Sequence, residues 1–197
     1  MQFISFQNQF SIYPVFSLQD VRKVFIHFSY RQFDRWEKKG YLEKLKRGFY
    51  CFSTYGKNQD FLFYAANKIY SPSYVSLEMA LKHYGLIPEE IFQVTSVSTK
   101  KTVHFNTLVG NFSFRRLKPS LYWGYQLLNF GLQKILMAEP EKAFVDYYYF
   151  VDLKLRNHND RLNARKINKK IALEYAALFK RPSLLKLIKE VLCSKKD

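Results

Sequence analysis

SYRQFDRWEKKGYLEKLKRGFYCF, residues 29–52, reads as a short basic helix, a glycine stop and a hairpin with a cationic tip. At about 100° per residue, Arg31, Arg35 and Lys38 share one stripe, with Gln32 and Lys39 beside it. Phe33 and Trp36 point the other way, and Asp34 and Glu37 fall on the flank between. A merely solvated helix face usually mixes its charges. A cationic face with its anions turned aside suits a surface that lies against phosphates. After Gly40, Tyr41, Leu42 and Leu45 lead to Lys46-Arg47-Gly48, and Phe49, Tyr50 and Phe52 return. Aromatic and aliphatic residues on both arms fit a half-buried ribbon. Gly48 supplies the positive φ of a tight turn.

Working outward, Phe3, Phe6, Phe10 and Tyr13 fall on one helical face that Pro14 ends. Ser17-Leu18-Gln19-Asp20 has the shape of a capping box, so a helix starts at Leu18. Its buried side continues through Val21, Val24 and Phe25. His27-Phe28-Ser29 forms the turn, with Ser29 capping the basic helix. Three helices and a basic-tipped ribbon within the first 56 residues outline a winged helix-turn-helix, whose second helix of the pair enters the major groove. On this reading Arg31, Gln32 and Arg35 reach base edges, since arginine suits guanine and glutamine suits adenine. Ser29, Tyr30, Lys38, Lys39, Lys44, Lys46 and Arg47 complete the DNA-binding surface, chiefly at phosphates. The competing reading is an ordinary hairpin with solvated lysines.

STYGKNQ, residues 53–59, is polar and marks a boundary between a domain over 1–56 and another over 57–197. In the second, Asp60–Ile69 is a compact apolar helix, Ser71-Pro72-Ser73 breaks it, and Ser76 caps a helix through His83. FQVTSVS, TVHFNTL and NFSFRRL then alternate as strands, and Gly110-Asn111 reads as their turn, giving a small antiparallel sheet. The stretch 122–135 holds a further strand pair around Gly124 and Gly131. The longest helix starts near Pro140, and basic amphipathic helices over 168–179 and 183–192 follow, with Pro182 between. The expected class is α+β: a winged helix-turn-helix, then an α+β domain ending in basic helices.

The net charge is +16, from 32 basic and 16 acidic residues. Residues 1–56 carry nine basic and four acidic groups, residues 57–150 ten and seven, and residues 151–197 thirteen and five. The ends are basic and the middle is nearly balanced. Such an excess favours polyanionic partners, nucleic acid first and an anionic membrane surface second. Arg161, Arg165, Lys166, Lys169 and Lys170 form either a second nucleic-acid surface or a solvated face. Cys51 and Cys193 sit in no ligand spacing, so neither a disulfide framework nor a zinc site is implied, and a reducing cytoplasm is expected. The N-terminus lacks the pattern of a signal peptide, and no run reaches the length of a membrane span.

Catalytic patterns are weak. Ser76 and His83 lie about two turns apart with no third group, so capping outranks nucleophilic chemistry for Ser76. Glu141 and Asp146 are five residues apart, off a common helical face, so Glu139, Glu141 and Asp146 make a poor metal set. Glu141-Lys142 faintly matches the end of a nuclease motif without its preceding strand. No phosphate loop is present. Tyr147-Tyr148-Tyr149 spans all sides of a helix, so at least one ring belongs to the core. No catalytic residue, metal or cofactor is expected.

Four stretches together resemble the AbiEi family, antitoxins of bacterial abortive-infection (type IV toxin–antitoxin) systems. Arg47-Gly48-Phe49-Tyr50 looks like the family's wing end. Tyr74-Val75-Ser76 through Ala80-Leu81, continuing to Tyr84-Gly85-Leu86-Ile87-Pro88, looks like its Y-[IV]-S-x-x-x-A-L helix and Y-G-L-x-P end. Thr95-Ser96 follows in a strand, and Ala138-Glu139-Pro140-Glu141-Lys142-Ala143 with Asp146 looks like A-x-P-E-K-A-x-x-D. The match covers roughly residues 15–155. It implies a repressor that binds inverted repeats at the promoter of its own operon. It also implies phage defence by opposing a nucleotidyltransferase-type toxin without a stable complex. The alternatives are an RNA-binding protein acting on the toxin's target and, further off, a nuclease-like protein.

Overall fold

The structure is a computed structural model that describes residues 2–193, so the last four residues of the expected second domain lie outside it. The chain runs α1 (Phe3–Phe10), β1 (Phe16–Ser17), α2 (Leu18–Val24), α3 (Tyr30–Lys38), β2 (Leu42–Lys46) and β3 (Phe49–Phe52). Then come α4 (Gln59–Ile69), β4 (Ser73–Val75), α5 (Leu77–His83), β5 (Gln93–Ser98), β6 (Val103–Thr107) and β7 (Gly110–Arg116). β8 (Tyr125–Phe130), β9 (Gln133–Ala138), α6 (Pro140–Asp152), α7 (Lys169–Leu178) and α8 (Pro182–Cys193) complete it. The class is α+β, as the sequence indicates.

The N-terminal elements close around an aromatic cluster. Phe6 on α1 stacks on Phe10 at 5.0 Å and Trp36 at 5.2 Å, and meets Phe33 edge-on at 5.4 Å. Offset and edge-on ring pairs add about 0.5–1.5 kcal/mol each beyond the area they bury. α1 stops at Phe10, short of the expected Tyr13; the residue before Pro14 is disfavoured in the helical region. The capping box is present: the Ser17 hydroxyl accepts from the Asp20 N–H, and Asp20 accepts from the Ser17 N–H. β1, β3 and β2 form a three-stranded antiparallel sheet in that order.

The hairpin serves two cores. A bulge between Lys44 and Lys46 sets two residues of β2 against one of β3. Such a bulge re-aims its side chains. Leu42, Tyr50 and Phe52 join the N-terminal aromatic cluster, whereas Leu45 and Cys51 join the larger core.

That larger core surrounds a six-stranded sheet in the order β6-β7-β5-β4-β9-β8. The expectation of a small antiparallel sheet is corrected here, because β5 pairs with β7, and β4 with β9, in parallel. A parallel pair needs a crossover; β6 and the long excursion from β4 to β9 supply them. The turn after β6 is Leu108-Val109 rather than Gly110-Asn111, and the Thr107 hydroxyl accepts from the Val109 and Gly110 N–H groups to hold it. The anticipated strand pair around Gly124 and Gly131 is β8–β9. Ser73 faces α4, donating to the Ala66 carbonyl at 3.5 Å, while its neighbour Tyr74 faces α6. Successive strand residues point to opposite faces, so α4 and α6 cover opposite sides of the sheet. All of Tyr147, Tyr148 and Tyr149 are buried, and α7 and α8 pack on α6.

Candidate nucleic-acid interface

α3 is held by its apolar side and its end. Phe33 and Trp36 are 1% and 8% exposed. At the C-terminus the Tyr41 N–H donates to the Trp36 carbonyl and the Gly40 N–H to the Glu37 carbonyl, both at 2.9 Å. This is a Schellman closure, and it needs the left-handed backbone that Gly40 adopts at φ +72°. Arg31, Arg35, Lys38 and Lys39 stand on the exposed side, and Gln32 is half-buried beside them. Tyr30, at the first turn, is exposed and accepts a hydrogen bond from Arg22, whose guanidinium lies 5.1 Å from its ring centroid. Ser29 occupies the N-cap position, but its side chain makes no capping bond; the expected cap is corrected. Its ψ is extended, and α3 begins with its N–H groups uncapped by that hydroxyl.

At the hairpin tip, Lys44 and Arg47 are exposed. Lys46 is engaged differently. Its ammonium sits 4.9 Å from the Phe49 ring, 5.1 Å from Phe105 and 5.6 Å from Tyr70, between the hairpin and the large sheet. Burial and the nearby Lys100 pull its pKa down. The bulge explains this placement, which no sequence period signals. The Gly48 carbonyl accepts from the Leu18 N–H at 2.9 Å, tying the tip to the start of α2. The ribbon is therefore a fixed wall beside α3.

A second assembly was missed by sequence reasoning. Lys142 and Asp146 are fully buried and form an ion pair across one turn of α6. Lys142 also donates to the Tyr74 hydroxyl at 2.8 Å. Asp146 accepts from the Tyr74 hydroxyl at 2.9 Å and the Ser76 hydroxyl at 3.0 Å. Trp123 and Phe179 cover the ammonium at 4.9 and 5.3 Å. Burial pushes the Asp146 carboxyl up and the Lys142 ammonium down, and their contact opposes both. Burial, and after it Asp146, raises Tyr74 well above its usual range. The i,i+4 spacing of Lys142 and Asp146 was the available signal; that both are buried was not readable.

This network corrects the capping role expected of Ser76, whose hydroxyl is committed to Asp146. Thr95 takes the role instead: its hydroxyl accepts from the Met79 N–H at 2.9 Å and donates to the Ser76 carbonyl at 2.7 Å. The carboxylates weighed as metal ligands go to separate places. Glu139 accepts from the Tyr175 hydroxyl at 2.6 Å, Glu141 from the Asn168 N–H at 3.0 Å, and Asp146 is buried. Two of them thus dock α7 and its N-cap.

The C-terminal cations also divide. Arg161, Arg165, Lys166, Lys169 and Lys170 are all exposed. Asn159 accepts from the Arg161 N–H at 2.8 Å, Asn163 from the Arg165 N–H at 3.0 Å, and Asn168 from the Lys170 N–H at 3.1 Å. Each asparagine thus fixes a turn that presents a basic residue two positions on. Lys166 lies apart, near Gly85. Among the described residues no helix is long and apolar enough to cross a membrane. No family model matches this chain, and no curated protein matches it.

Proposed function

We propose that this chain is a double-stranded-DNA-binding repressor of the winged helix-turn-helix type. The observation that carries the reading is the sorting of α3: cations outward, Phe33 and Trp36 inward, beside a ribbon that exposes Lys44 and Arg47. Arg31, Gln32 and Arg35 read base edges, and Lys38, Lys39, Lys44 and Arg47 hold phosphates. Inverted repeats in the chain's own promoter are the expected target, each half read by one copy.

The antitoxin role in a toxin–antitoxin operon, against a nucleotidyltransferase-type toxin, rests on the resemblance to the AbiEi family. It is supported by one structural fact: Tyr74, Ser76, Lys142 and Asp146, from two of the resembling stretches, meet in a single hydrogen-bonded network. Residues that act as a unit are better read as one pattern than as separate coincidences.

Gel-shift titration of the promoter region tests the DNA reading. Arg31→Ala and Arg35→Ala should each cost about 1–3 kcal/mol at the specific site. Arg47→Ala should weaken all sequences alike. Unchanged specific binding by both α3 variants would remove the groove assignment. The presented cations of residues 161–170 favour a second reading, RNA binding. Stronger competition by structured RNA than by promoter duplex would select it.

A further inference from the structure

A cleft of about 850 Å³ opens between the loop after α6 and the end of α8. Its size falls within the roughly 300–1,000 Å³ of small-molecule sites. Among the described residues, Arg161, Arg165 and Lys169 line it together with Asp160. Arg161 is shared with Glu89 at 3.5 Å. Asn159 and Asn163 line it too, and both spend their carbonyl oxygens on the backbone turns that present the arginines. Their side-chain amides also carry NH2 donors. One wall is therefore rich in cations and donors, the chemistry of an anion site. The other wall is apolar, with Val191 and Leu192. His158, half-exposed, also lines it: its Nδ1 lies 3.3 Å from the Tyr148 hydroxyl, with the two rings tilted 5.7 Å apart, and its Nε2 lies 3.6 Å from Asp160. A half-exposed aromatic ring is a surface on which a base can stack.

We propose that this cleft binds a nucleoside di- or triphosphate: phosphates on Arg161, Arg165 and Lys169, the base against His158 and the apolar wall. Three cations line the cleft together with Asp160, with Glu89 beside Arg161, and the apolar residues and ring suit a planar base, which inorganic phosphate lacks. The site uses none of the α3 residues and stands apart from the DNA reading.

Isothermal titration of the full chain at physiological salt, with each of the four ribonucleoside triphosphates and with tripolyphosphate, tests it. Saturable one-site binding is expected, with at least one nucleotide about tenfold tighter than tripolyphosphate. Arg165→Ala and Lys169→Ala should each weaken it about tenfold, the scale of one charge-assisted contact. Lys170→Ala, outside the lining, and Arg31→Ala, on α3, should leave it unchanged. Equal affinity for tripolyphosphate, absence of saturable binding, or equal loss with Lys170→Ala would overturn the proposal, the last showing only diffuse attraction to a cationic chain.

Discussion

Lys142 and Asp146 set the residue scale. Two opposite charges buried together are tolerable because each satisfies the other and Tyr74 and Ser76 supply the remaining bonds. Remove one and the other is stranded in a low-dielectric core. Asp146→Ala should lower stability by about 3–5 kcal/mol, read from urea denaturation. Its double variant with Lys142→Met should recover much of that loss, since an apolar pair leaves no buried charge. Protons make a second prediction. Burial raises Tyr64 to about 12 from a usual 10.0, and raises Cys51, with Glu43 adding to it, to about 12 from 9.0. These groups keep their protons in the fold at pH values where the unfolded chain has lost them. Their contribution is complete below pH 9 and disappears as pH rises toward about 12, so stability falls across that window. Tyrosinate absorbance followed beside circular dichroism checks it. The Tyr64 signal should arrive with unfolding, and a free titration near pH 10 in an intact fold would contradict it.

At the scale of elements, the caps and stops carry most of what was readable. Ser17 and Asp20 start α2 and Gly40 ends α3, as local sequence indicates, because those bonds span three to five residues. Ser17→Ala should cost about 1 kcal/mol in thermal or urea unfolding. Ser29→Ala should cost little, because its hydroxyl caps nothing. Ser76 and Thr95 show where local reading stops. The Ser76 hydroxyl was the local candidate for the cap, yet the cap of α5 comes from Thr95, on a strand nineteen residues after Ser76. Once Ser76 is turned to Asp146, the orphan N–H groups of α5 need another acceptor. The hairpin gives the same lesson. Its arms and turn follow from Tyr41 to Phe52, but the bulge that sends Leu45 and Lys46 toward the large sheet does not.

At the scale of the whole molecule, the hairpin buries one face on the aromatic cluster and the other on the large core. The α3 surface is thereby held at a fixed place on the body that carries the C-terminal cations. Electrostatics act at this scale too. With a net charge of +16, binding to DNA should be fast and steeply salt-dependent. Six exposed cations stand on α3 and the hairpin tip: Arg31, Arg35, Lys38, Lys39, Lys44 and Arg47. If each protomer neutralises four or five phosphates, log affinity against log salt should slope between about −3 and −5. Fluorescence anisotropy over a salt series measures it, and a slope near zero would show that this face does not meet DNA.

Short-range chemistry was legible from the chain alone: α+β class, the sorted faces of α3, the hairpin, the capping box, the long helix opening at Pro140 and the basic C-terminal helices. Each depends on periodicity or on bonds between near neighbours, which a sequence displays directly. The parallel pairings of the large sheet, the caging of Lys46 and the Tyr74–Ser76–Lys142–Asp146 network belong to the tertiary structure. They join residues up to 72 positions apart. Burial, which turns an ordinary lysine and aspartate into a costly buried pair, is a property of the packed molecule and of no single segment.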